Sequence, residues 1–271
     1  VETGRCLETL PVPVGSSPFC FGGLKLAFSP DGKTLVSFTG RELRVWSVKL
    51  KTYANTSCTR PGTRRIHHVL SSDGSTFMSL LVETNDVMVT SLDDKGTFSV
   101  QIFSISGIDE QPYLLAISPD RTTFLSTCRD NTTVKIWSLE TPSATYTLET
   151  TLSGHSKSVT AAAFNAEGTR IVTGSEDLTV RIWEAESGTC VRTFTGHRDV
   201  ISLVAFNPDG SVVLSTSYGG KTINLWAIDS GVCLKTLSHD TSVLHATFSP
   251  DGSSICTSCR GANLKLYGPL G

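Results

Sequence analysis

The sequence predicts an all-β chain made of one short unit repeated from end to end, and three observations carry that prediction. First, a four-residue corner recurs as Ser29-Pro30-Asp31-Gly32, Ser71-Ser72-Asp73-Gly74, Ser118-Pro119-Asp120-Arg121, Asn165-Ala166-Glu167-Gly168, Asn207-Pro208-Asp209-Gly210 and Ser249-Pro250-Asp251-Gly252. Its last positions fall at 32, 74, 121, 168, 210 and 252, so the steps are 42, 47, 47, 42 and 42 residues. Proline presets φ, Asp or Asn offers a local side-chain hydrogen bond, and glycine tolerates the positive φ that returns the chain to a strand. Second, all four tryptophans, Trp46, Trp137, Trp183 and Trp226, lie 14 to 16 residues past a corner, and Val89 and Tyr267 stand in the matching places. Third, Leu152 to Trp183 (LSGHSKSVTAAAFNAEGTRIVTGSEDLTVRIW) holds the fullest copy: a Gly154-His155 pair, an alternation ending at Phe164, the corner, a second alternation through Thr173, the acid Asp177 and a third ending at Trp183.

Taken in order, unit one uses Leu24 to Phe28, Thr34 to Phe38 and Glu42 to Trp46, with an irregular fourth strand within 52–60. Unit two keeps its corner, places Val87 to Val89 as third strand and Thr97 to Ile105 as a long fourth. Unit three runs from Tyr113 to about Leu152, enters without Gly-His and keeps Ser126, Asp130 and Trp137. Units four and five are the clearest, and unit six ends on Tyr267. Residues 2–10 (ETGRCLETL) align with 186–194 and 229–237, which places them as an outermost fourth strand for the last unit.

A period in the forties with a Gly-His start and a terminal Trp resembles the WD-repeat family, whose units each form a four-stranded propeller blade. The resemblance covers essentially the whole chain and is strongest over Leu152 to Leu237. It implies one β-propeller domain over 1–271, with a closing strand at 1–10 and blades at about 11–60, 61–107, 108–152, 153–194, 195–237 and 238–271. Six four-stranded blades would close the ring; part of a seven-bladed ring is the alternative. The resemblance also implies a structural tetrad, and the full set exists only in unit four, as His155, Thr173, Asp177 and Trp183. Unit five has His197, Ser215 and Trp226, with Gly219-Gly220 in place of the acid; unit six has His239, Thr257 and Tyr267, with Gly261. No Trp-Asp dipeptide occurs anywhere.

Composition narrows the function. A net charge of -2 gives no global field toward nucleic acid or an acidic membrane. No apolar run approaches the ~18 residues of a membrane span, and no membrane partner is expected. Of the eight cysteines, Cys6, Cys190 and Cys233 occupy one repeat position and read as small buried hydrophobes of a reducing compartment, which places the chain in the cytoplasm or nucleus. Cys256 and Cys259 have the spacing of a metal pair, but a strand turns residues three apart to opposite sides. No metal or cofactor is expected.

Apparent catalytic motifs dissolve on inspection. Gly219-Gly220-Lys221-Thr222 imitates the end of a phosphate loop but leads into a strand, and Ser238-His239-Asp240 sets three triad residue types side by side, where no relay is possible. The chain is therefore not expected to be an enzyme; a six-bladed propeller hydrolase, with His245 as its candidate, is the weakest reading. A basic segment, Arg60, Arg64, Arg65, His67 and His68, supports a second reading, a nucleic-acid-associated or ribonucleoprotein subunit. The favoured function is a non-enzymatic scaffold, a monomeric ring in a larger complex that binds protein or peptide partners. Its expected binding face carries Arg129, Glu176, Tyr218 and Arg260 before strand three, beside Lys157, Arg198 and Asp240 of the lead-in loops.

Overall fold

The computed structural model describes residues 25–28, 34–39, 42–47, 53–57, 66–70, 76–81, 86–92, 98–105, 113–127, 131–140, 143–249, 251–259 and 263–267. They belong to two compact units, 1–62 and 63–271. In the first, β1 (Lys25–Phe28), β2 (Thr34–Thr39), β3 (Glu42–Ser47) and β4 (Tyr53–Ser57) form an antiparallel meander in chain order. Leu35 lies opposite Phe28 on one side and Trp46 on the other. The expected closing strand, 1–10, lies outside the described residues.

In the second unit the same meander recurs. Blade two is β5 (Ile66–Leu70), β6 (Thr76–Leu81), β7 (Asp86–Leu92) and β8 (Phe98–Ile105); blade three is β9 (Tyr113–Ile117), β10 (Thr123–Thr127), β11 (Val134–Glu140) and β12 (Thr145–Leu152). Blade four is β13 (Val159–Phe164), β14 (Arg170–Ser175), β15 (Val180–Glu184) and β16 (Cys190–Phe194). Blade five is β17 (Ile201–Phe206), β18 (Val212–Ser217), β19 (Thr222–Ala227) and β20 (Cys233–Ser238). The last sheet holds β21 (Val243–Phe248), β22 (Ile255–Cys259) and β23 (Asn263–Tyr267).

Corner chemistry fixes the hairpins. Gly168, Gly210 and Gly252 close theirs at φ of 74°, 71° and 70°, and Arg121 takes the same place at 68° in blade three, a conformation that costs a side-chain-bearing residue about 1 kcal/mol or more. The first residue of the corner, three before its glycine, holds the turn: Asn165 Oδ1 accepts from Arg170 N–H at 2.9 Å and Asn207 Oδ1 from Val212 N–H at 2.8 Å.

Burial follows position in the blade. Second strands are covered on both faces, so five of the six residues of β14 are buried, whereas β20 buries only Leu237. The four core clusters among the described residues each span a junction between consecutive blades. Met78, Leu80 and Val87 meet Phe124, Trp137 and Tyr146; Leu125, Ile136 and Leu152 meet Phe164, Ile171 and Trp183. Val172, Ile182 and Phe194 meet Ile201, Val213 and Trp226, and Leu214, Leu225 and Leu237 meet Val243, Ala246 and Ile255. Each blade is thus stabilised by burying its faces against its neighbours.

Two findings depart from the sequence reading. Blades two and three share one eight-stranded sheet, because the end of β8 pairs in parallel with the start of β12, Ser104 opposite Thr145 and Ile105 opposite Tyr146. That join covers an aromatic cluster in which Tyr146 meets Phe124 and Phe103 edge-on. Burial, with a smaller effect from nearby Asp120, raises the Tyr146 phenol to about 12. The second departure is a correction: Cys190 is half-buried and Cys233 exposed, both as free thiols, not buried hydrophobes. They sit on outermost strands opposite Trp183 and Trp226, where one side of the strand has no neighbour to cover it.

Gly174 marks the tightest described junction. A Cβ there would overlap Ile201 Cγ2 and lie 2.9 Å from Ile201 Cβ. Gly174→Ala is expected to lower stability by about 1–3 kcal/mol through overpacking, and Ile201→Ala, which removes the overlapping Cγ2, to cost less in the Gly174→Ala chain than in the natural one. Additive urea midpoints for the two substitutions would show that this contact is not the cause.

Candidate functional site

Blade four brings His155, Thr173, Asp177 and Trp183 together in a single hydrogen-bonded chain. The buried Trp183 indole N–H donates to Thr173 Oγ1 at 2.8 Å, and that hydroxyl lies 2.7 Å from His155 Nε2. His155 Nδ1 lies 2.8 Å from Asp177 Oδ2. Donor and acceptor counts select the arrangement: the Thr173 oxygen accepts from the indole, so its proton goes to Nε2, and the imidazole proton sits on Nδ1, facing the carboxylate. The histidine is neutral in this chain, and burial holds its pKa below the ordinary 6.5 despite the adjacent carboxylate.

Asp177 has further donors. Ser156 N–H reaches Oδ2 at 3.1 Å, and Thr179 gives Oδ1 its backbone N–H at 2.9 Å and its hydroxyl at 2.6 Å. Burial pushes the carboxyl upward, but these bonds outweigh it and hold the pKa at about 2. The sequence reading missed Thr179; the signal was the Asp-x-Thr spacing, which places a hydroxyl two residues past a turn acid.

The other blades keep parts of the chain. In blade five Trp226 N–H donates to Ser215 Oγ at 2.8 Å, and Ser215 lies 2.6 Å from His197 Nε2. In blade three Trp137 N–H donates to Ser126 at 2.9 Å. In the last sheet Thr257 Oγ1 and Tyr267 Oη each lie 3.0 Å from His239 Nε2, so a phenol reaches directly the nitrogen that an indole reaches through a hydroxyl.

These bonds fasten the loops at one end of the strands. Glu176 N–H bonds to Ser158 O at 2.8 Å, Tyr218 N–H to Val200 O at 2.6 Å, and Ser175 Oγ donates to Lys157 O at 3.0 Å. The loops before strand three and the lead-in loops therefore share one face, and the corners lie at the other ends of the same strands. On the loop face Lys157, Glu176, Arg198 and Asp240 are exposed, and the Tyr218 side chain is 79% exposed. Arg129, Arg260 and the arginines at 60, 64 and 65 lie outside the described residues. His67 and His68 lie on β5 opposite Leu80 and Ser79. His245 is exposed on β21. Among the described residues no three His, Cys, Asp or Glu side chains gather as metal ligands. No helix among them is long and apolar enough to cross a membrane.

Asp177→Ala is expected to cost about 1–3 kcal/mol by leaving buried donors unpaired, against a few tenths for the exposed corner acid Asp209→Ala. Equal denaturation midpoints for the two variants would contradict the tetrad's role. Acid should act in two windows. His155 and His197 have depressed pKa values, so their contribution is complete above 6.5 and declines as pH falls below it. Asp177 contributes fully above 3.8 and loses its share as pH falls toward 2. A urea midpoint that rises between pH 7 and pH 5 on acidification would reverse this sign.

Comparison with known proteins places the chain. The family model described as WD domain, G-beta repeat matches residues 99–138, 146–184, 188–227 and 231–267, together more than half of the chain. The chain is 33% identical over 119 residues to Coatomer subunit beta'-1 of Arabidopsis thaliana, covering 43% of this chain and 12% of that protein. It is 36% identical over 99 residues to U3 small nucleolar RNA-interacting protein 2 of Mus musculus, and 34% identical over 100 residues to Nuclear distribution protein PAC1 of Arthroderma otae. Each of these two matches covers 34% of this chain and 21% of the relative, so the chain spans only a fraction of the length of these proteins. A chain in the crystal structure of the mitotic checkpoint complex has the same fold, with a TM-score of 0.69 at 19% identity over 99% of this chain and 86% of that one. The repeats, the blade meanders and these matches establish that the chain belongs to the WD40 (WD domain, G-beta repeat) family of β-propellers.

Proposed function

We propose that the chain is a non-enzymatic scaffold that binds protein or peptide partners on its loop face as a subunit of a multiprotein complex. The observation that carries this reading is Tyr218, an aromatic held 79% exposed on a loop whose backbone is bonded to its neighbours. Exposed aromatic area on a rigid mount supplies binding energy with little ordering cost. Arg198 and Lys157 add exposed cationic groups on the same face, and the Arabidopsis relative is by name a coatomer subunit. The free thiols Cys190 and Cys233 fit an intracellular, reducing setting in cytoplasm or nucleus. We propose a single ring within the assembly, with Arg129 and Arg260 extending the same face.

The test is affinity enrichment from native extract, followed by binding measurements on what is recovered. Tyr218→Ala with Arg198→Glu is expected to weaken the partner at least tenfold, about 1.4 kcal/mol, while Asp209→Asn with Asp251→Asn leaves it unchanged. The opposite pattern would place binding on the corner face. Recovery of RNA whose binding falls steeply with salt would favour the basic segment around Arg64 instead.

A further inference from the structure

Blade five lacks the acid that completes blade four, yet it keeps two of the donors that the acid serves. Tyr218 matches Glu176, since each gives its backbone N–H to the lead-in loop three residues past the histidine, Val200 O in one blade and Ser158 O in the other. Gly219 thus follows Tyr218 as Asp177 follows Glu176, although positive φ falls on Leu178 in blade four and on Gly219 in blade five, whose loop reaches strand three one residue later. Gly219 adopts φ of 68°, and a Cβ there would meet nothing within 4 Å.

Two of the donors to the Asp177 carboxylate in blade four converge on Oδ2: His155 Nδ1–H and Ser156 N–H. Their counterparts are His197 Nδ1 and Arg198 N. The bond order in blade five puts the imidazole proton on Nδ1, because Trp226 donates to Ser215 and Ser215 in turn bonds His197 Nε2. Asn224 Nδ2 also approaches Nε2, at 3.5 Å. Among the described residues neither His197 Nδ1–H nor Arg198 N–H has an acceptor, and Asp199, the acid of that loop, bonds to neither. The surroundings suit an anion beside an apolar group: Arg198 and Lys221 are exposed, and Tyr218, the residue before Gly219, is exposed as well.

We propose that an Asp or Glu side chain of a protein partner enters this gap over Gly219 and accepts from His197 Nδ1–H and Arg198 N–H, completing the blade-five tetrad from outside. The partner's adjacent apolar residue packs on Tyr218. This rests on the loop-face reading above and names the chemistry of its central contact. A charge-assisted bond to a partly buried donor pair is the kind of contact that is strong where water is excluded.

The probe is N-acetyl-aspartate N-methylamide, titrated into the full chain with 15N-labelled histidine, reading the ring signals of His197 by NMR. A saturable shift at His197 that the asparagine analogue does not produce is expected. An equal response to N-acetylglycine, whose carboxylate is terminal, would overturn the side-chain assignment in favour of a partner's C-terminus. Gly219→Asp should supply the acid internally: it should be more stable than Gly219→Asn, which carries the same backbone strain, and its response to the probe should fall at least tenfold. A His197 signal unmoved through the titration, or a Gly219→Asp chain that responds like the natural one, overturns the proposal. Should neither Gly219 variant fold, the titration of the natural chain decides alone. Loss of partner binding in the Tyr218 and Arg198 variants, combined with an unmoved His197, would remove this site and leave the loop face standing.

Discussion

The structure depends on one requirement: a tryptophan buried between blades must give its indole N–H an acceptor. Trp137, Trp183 and Trp226 meet it identically, each donating to a Ser or Thr of the second strand at 2.8–2.9 Å. The hydroxyl then carries a proton onward, and in blades four and five a lead-in histidine receives it. Removing the hydroxyl would leave a buried indole and a buried imidazole unsatisfied together, a cost that hydrophobic contact alone does not offset. The chain of bonds thus couples the third strand, the second strand and the lead-in loop of one blade, while the Trp ring packs against the blade before it.

Where a blade departs from the full set, it finds another way to meet the same need. In the last sheet the aromatic is Tyr267, whose hydroxyl bonds His239 directly. In blade four Arg181 lies over the Trp183 ring, 5.9 Å from its centroid, with its guanidinium against Gly154. The glycine of the Gly-His pair in this blade is set by its backbone, at φ of 153°; a Cβ there would also sit 2.6 Å from Arg181 Nη1, the movable end of a flexible side chain. One cation therefore closes the rim of the packed face and raises the cost of protonating His155.

The sequence revealed the features that recur and little of what occurs once. Corner turns and Trp spacing placed the strands, because φ-setting residues and a ring that must be buried leave a local signature; β15 ends within a residue of Trp183 and β8 begins at Phe98. The tetrad residues were legible for the same reason. The pairing of β8 with β12 was not, since it depends on the length of two strands and on aromatic packing from Tyr146 across a junction. Nor was the role of Gly174, which reads as an ordinary small residue until Ile201 of the next blade occupies its side-chain space. The thiols at Cys190 and Cys233 were misjudged because a repeat position says which strand a residue occupies, not whether anything lies beyond that strand.

The family repeats run from an outermost strand to the third strand of the next blade, as in 188–227, which begins just before β16 and ends with β19. Each sequence repeat therefore contributes to two blades, and each junction core lies within one repeat or between consecutive ones. This offset has a consequence for function. Residues that face a junction are constrained by the neighbouring repeat, so Trp, Ser or Thr, and the apolar positions of the second strand recur with little freedom. Loop-face residues are constrained mainly by their backbone bonds, such as Glu176 N–H and Tyr218 N–H to the lead-in loops, so side chains as different as Glu and Tyr stand on the same backbone bond. The same scaffold can thus display a different surface from blade to blade at no cost to packing, and differences between blades concentrate where a partner would meet them.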